Sequence, residues 1–109
     1  MKYFVATYTH PNKEVWNEHL SAHIKYLEQL ITDKKLVASG PFINQPIKSA
    51  MLILKVKNIE EAQNIVSKDP YTIQGAVGES TLNEWDPFFG QYQTLKHKIL
   101  LNLRKLFKG

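Results

Sequence analysis

Apolar and polar positions alternate from the first residues. Tyr3, Val5 and Thr7 share one face and Phe4, Ala6 and Tyr8 the other, which predicts a strand over residues 2–9. His10-Pro11-Asn12 interrupts it. From about Lys13 to Lys34 the period changes: Trp16, Leu20, Ile24, Leu27, Leu30 and Ile31 recur at steps of three and four. That is one stripe of an amphipathic helix, with His19 and His23 on or beside it. Residues 36–43 read as a second strand ending at Gly40-Pro41, and Asn44-Gln45-Pro46 as a turn, because proline offers no ladder donor. The run from Ala50 to Leu54 is apolar on both faces and reads as a buried strand. Asn58, with Glu61 three residues on, forms a capping box for a second helix whose Ala62, Ile65 and Val66 point inward. Asp69-Pro70 stops that helix. Residues 76–85 read as a fourth strand, Asp86 to Gly90 as a turn, and residues 91–107 as a last helix.

Strand, helix, strand, strand, helix, strand is the ferredoxin-like order of an α+β domain, in which both helices cover one face of a four-stranded antiparallel sheet. The other face is then left open. On so small a domain an open apolar sheet is a large patch, and pairing two sheets into a dimeric α/β barrel would bury it. The expected organisation is one domain over residues 1–90 and an added basic amphipathic helix over 91–109.

Composition narrows the function classes. The chain has 109 residues, 43% of them hydrophobic and 22% charged, which is the balance of an ordinary globular domain. No apolar run reaches the roughly 18 residues of a membrane helix, and the start resembles a strand more than a leader. The absence of cysteine excludes disulfides, thiolate catalysis and cysteine metal sites and agrees with a cytoplasmic location. The net charge of +4 suggests nucleic acid until it is located. Residues 91–109 alone carry +5 and no acid, so the remainder is slightly acidic and offers no broad phosphate-binding surface. In that last segment Tyr92, Leu95, Ile99, Leu103 and Leu106 form a stripe opposite the bases. A helix laid against the core or a second subunit explains it better than one on anionic lipid or nucleic acid. Neither nucleic acid nor membrane insertion is expected.

Few residues carry chemistry. His23 falls beside Leu20, Ile24 and Leu27, on the side of the helix that should meet the sheet. Two readings stand: a core-edge imidazole bonded to a backbone carbonyl, or a proton donor and acceptor working near neutral pH. Asp69 before Pro70 is by itself a helix cap. Gly40-Pro41 is either a strand end or a place where a ligand approaches the backbone closely. Ser39, Tyr71, Tyr8 and Trp16 could line a pocket beside it. His19 and His23 have the four-residue spacing of paired metal ligands, with Asp69 as a conceivable third, but no glutamate follows His19 and no metal is expected. There is no glycine-rich phosphate loop and no serine in a nucleophile motif.

His23 seventeen residues before Gly40-Pro41, with Asp69-Pro70-Tyr71 and Gly75 much later, resembles the YCII-related family of small proteins from Met1 to about Trp85. The resemblance implies a homodimer, a small-molecule ligand and no cofactor. It implies a catalytic pair in which Asp69 orients the imidazole of His23, with Gly40, Pro41, Ser39 and Tyr71 as substrate-binding residues. The reaction class it suggests is cofactor-free lyase or isomerase chemistry on a small cyclic or aromatic compound. The alternatives are a ligand-binding or accessory module of the same fold, and kinship with the dimeric barrels that oxidise aromatic compounds without a cofactor. This chain also departs from the family: many members have arginine three residues before the histidine, where this chain has Leu20.

Overall fold

A computed structural model of the protein describes residues 1–90; the helix expected within 91–109 lies outside the described residues. The elements are β1 (Lys2–His10), α1 (Lys13–Glu18), α2 (Leu20–Thr32), β2 (Leu36–Pro41), β3 (Lys48–Val56), α3 (Ile59–Lys68), α4 (Pro70–Ile73) and β4 (Ser80–Trp85). The strands form one antiparallel sheet in the order β2-β3-β1-β4, which is the ferredoxin-like arrangement of an α+β fold. Among the described residues no helix is long and apolar enough to cross a membrane.

The core lies between the sheet and the helices. On β1 the even positions Phe4, Ala6, Tyr8 and His10 are buried, and on β3 so are Leu52, Leu54 and Val56. Register explains the match, since Phe4 lies opposite Leu54 and Ala6 opposite Leu52. Leu30 from α2 and Ala62 and Ile65 from α3 close the same cluster. Full burial of a Leu or Phe side chain contributes about 1.5–3 kcal/mol, so this shared face outweighs any local propensity. Tyr26 ties α2 to α3 by donating its hydroxyl to the Ile65 carbonyl at 2.7 Å, and partial burial, with the Asp69 carboxylate second, pushes the pKa of its phenol up to about 12.

Several elements differ from the expectation. The first helix is two: α1, capped by the Asn12 side chain, ends at His19, and α2 begins again at Leu20. Ile24 and Ile31, expected to face the core, are 45% and 58% exposed. His23 and Tyr26 occupy the centre of the inward arc instead, with Leu27 and Leu30. The second strand ends at Pro41 and not at residue 43. β3 is buried on one face only, because Met51 and Ile53 point to the uncovered side and are only partly shielded. The fourth strand starts at Ser80, four residues later than expected, since residues 74–79 turn back along β1 through Gly78 N–H to Thr9 O and Thr9 N–H to Glu79 O.

Candidate functional site

Asp69 does more than stop a helix. It is the last residue of α3's C-terminal turn and the N-cap of α4, where its Oδ1 accepts the Tyr71 N–H at 2.9 Å. Pro70 follows at the first helical position, where its missing N–H costs nothing. The Asp69 side chain is wholly buried, and the same Oδ1 accepts from His23 Nδ1 of α2 at 2.8 Å. A carboxylate can only accept, so Nδ1 carries the proton, and in the neutral imidazole Nε2 keeps its lone pair. Residues 46 positions apart are thereby joined in one rigid pair.

Around Asp69 lies a small buried polar cluster. Tyr8 Oη, Asp69 Oδ2 and Thr72 Oγ1 are close enough to act on one another, though none closes a hydrogen bond of normal geometry among the described residues. Burial first, and the Asp69 carboxylate second, hold the Tyr8 phenol protonated well above its usual range. The same two causes push Tyr71 up to about 12.

Tyr71 is the hub of the aromatic packing. Its ring stacks on His23 at 4.1 Å between centroids and 17° between planes, and lies near-parallel to Trp16 at 6.2 Å. His10 meets it tilted, at 4.9 Å. These rings border a cavity of about 280 Å³. Leu20, His23 and Leu27 of α2 form one wall, and Ser39, Gly40 and Pro41 of β2 form another. Lys48 to Ala50 of β3 and Trp16 of α1 complete it. The structure thus gathers every candidate from the resemblance around one space, with Asp69 behind the wall. Tyr8 is elsewhere: it faces the core, beside the buried Asp69, and does not line the cavity. His19 is turned toward Glu18 at 4.0 Å and does not line the cavity, and among the described residues no group of three or more His, Cys, Asp or Glu could hold a metal.

His10 is the residue that sequence reasoning missed. It continues the buried phase of Phe4, Ala6 and Tyr8, a signal obscured by Pro11 next to it. Its Nδ1 donates to the Ala76 carbonyl at 2.8 Å, leaving Nε2 as a second free acceptor on the cavity wall. Gly75 makes that bond reachable: at φ 72° it turns the chain after α4 so that Ala76 N–H returns to Tyr71 O. Burial lowers the pKa of His10 below 6.5, the nearby His23 and Lys48 act in the same direction, and the Ala76 bond and Asp69 oppose them. The unfolded chain therefore binds a proton here at a higher pH than the folded one. His10 contributes stability that is complete above about pH 6.5 and lost as the pH falls through the lower folded value. His10→Gln is expected to flatten the acid side of the stability profile relative to wild type, measured by urea unfolding between about pH 5 and about pH 7.5.

Residues 1–86 match the YCII-related domain. The Bacillus subtilis (strain 168) "Uncharacterized protein YjpA" is 31% identical over 68 residues, covering 62% of this chain and 76% of that one. Among solved structures, 5-chloro-2-hydroxyhydroquinone dehydrochlorinase (TftG) from Burkholderia phenoliruptrix AC1100, in complex with 2,5-dihydroxybenzoquinone, superimposes with a TM-score of 0.68. It is 20% identical, over 84% of this chain and 99% of that one. An antibiotic biosynthesis monooxygenase has a TM-score of 0.54 at 13% identity, over 80% of this chain and 98% of its own. At such identities the likeness establishes the fold alone, which is the ferredoxin-like one described above. With a domain match running from the first strand through the last, the chain belongs to the YCII-related family.

Proposed function

We propose that this protein performs cofactor-free proton transfer on a small cyclic or aromatic compound, in an elimination or isomerisation, with His23 as general acid and base and Asp69 as its positioning residue. The observation that carries the reading is the single Asp69 oxygen held by both the Tyr71 N–H and His23 Nδ1, on an imidazole that lines the cavity. Fixing Nδ1 as the donor commits Nε2 to take a proton from the bound ring. The imidazolium so formed faces a buried carboxylate at 2.8 Å, and the proton then returns at another atom of the ring, or a leaving group departs with its bonding electrons. TftG, whose described activity is a dehydrochlorination and whose described ligand is a dihydroxybenzoquinone, supports the choice of a hydroxylated ring and of elimination.

A second copy of the chain completes the assembly in this reading. Tyr3, Val5, Met51 and Ile53 form an apolar strip on the sheet face away from α2 and α3, with Trp85 45% exposed at its edge. Two such faces pressed together would bury what a monomer leaves wet. The lack of cysteine supports a reducing, cytoplasmic setting.

The test is a screen of hydroxylated and halogenated rings in deuterated buffer with no added cofactor. Deuterium uptake, double-bond migration or halide release from at least one compound is expected. Binding without any of these, across the whole set, would contradict the catalytic reading and make the chain a ligand-binding module.

A further inference from the structure

We propose that the cavity selects a planar ring carrying an ionised oxygen, and that Lys48 is the residue that binds that oxygen. The inference rests on the acid–base reading above and names its substrate class. Among the described residues that line the cavity, Lys48 alone carries a fixed charge. Asp69 lies wholly buried behind the cavity wall, with its Oδ1 held by His23 and the Tyr71 N–H, and forms no ion pair with Lys48. No described acid forms an ion pair with Lys48, whereas Lys2 and Lys35 both have glutamate partners.

The lysine is also held in place. It lies directly opposite His10 in the β1–β3 register, and its Nζ sits 3.9 Å over the Trp16 ring. A cation over an indole face retains its charge for an incoming anion while its stem stays packed. Leu20 also lines the cavity and brings no charge.

Three recognition elements then converge. The rings of Trp16, His23 and Tyr71 border the cavity as aromatic surface for a ring. The free Nε2 atoms of His10 and His23 accept hydrogen bonds from ring hydroxyls, and Lys48 takes the ionised oxygen. The same position assists the chemistry, since removing a proton from the ring leaves negative charge that a cation in an apolar cavity stabilises.

A matched pair of probes tests this: 2,5-dihydroxybenzoate and 2,5-dihydroxybenzamide, titrated into wild type, Lys48→Met and Lys48→Arg while the Trp16 indole and the His23 ring nitrogens are followed by NMR. Wild type is expected to bind the carboxylate about tenfold or more tighter than the amide. In Lys48→Met the preference should collapse to about twofold or less, with amide affinity unchanged as the control for folding, and Lys48→Arg should restore most of it. Equal affinities in wild type, or a preference that survives Lys48→Met, overturn the role of Lys48. If the amide binds as well as the acid and still moves the His23 signals, the role of Lys48 falls while the acid–base reading stands. If neither compound moves His23 or Trp16, both fall.

Discussion

His23→Gln is expected to lower turnover of any substrate found in the screen by about 10²–10⁴-fold while leaving its affinity within a few-fold of wild type. Glutamine keeps a hydrogen-bonding side chain of similar reach, so the cavity wall survives. What it lacks is a nitrogen that can both take and return a proton. Loss of a general base reduces kcat and kcat/KM together, because the interaction exists only in the transition state. A variant that raised KM and left kcat intact would mark His23 as a binding group. The packing makes the distinction readable, because Tyr71 stacks on the ring from a separate element and is held by its own backbone bond to Asp69.

Asp69→Ala is expected to cost about 2–4 kcal/mol of folding stability. The loss has two sources: removal of the α4 cap, which is the Tyr71 N–H bond, typically about 0.5–2 kcal/mol, and abandonment of the His23 Nδ1 donor, about 1–3 kcal/mol. His23 Nδ1 and Tyr71 N–H both lose their acceptor, and the Tyr8 phenol loses the carboxylate beside it. In a domain whose whole stability is of order 5–15 kcal/mol, urea unfolding should show the midpoint falling by about 1–2 M. Asp69→Asn retains one oxygen that can cap Tyr71 or meet His23, so its loss should be smaller. A change below about 1 kcal/mol in the alanine variant would mean that Asp69 is not the structural link between α2 and α4.

The architecture could be read from the chain because its periods are clean. Alternation over residues 2–9 and the apolar run around Leu52 mark the two central strands, and the Asn58–Glu61 cap marks the second helix. The inward face of the first helix was harder to read. Its centre is held by His23 and Tyr26, whose polar tips bond to Asp69 and Ile65, so a count of apolar residues alone rotates the stripe toward Ile24 and Ile31. Periodicity carries no sign of a partner 46 residues away, and the link between His23 and Asp69 was visible only as a family pattern. His10 had a usable signal in the β1 phase. Lys48 had none, because which residue of β3 lies opposite His10 depends on the length and course of the turn between β2 and β3.

The most direct test of the central claim needs no substrate: the ¹⁵N shifts and ring-proton couplings of His23 with the imidazole neutral, in wild type and in Asp69→Asn. Which nitrogen carries the proton is set by the hydrogen bond that ring makes. The account predicts a protonated Nδ1 and a bare Nε2 in wild type, with that tautomer weakened in the variant. A wild-type ring protonated at Nε2 would leave no base facing the cavity and would contradict the pairing on which the proposed chemistry depends.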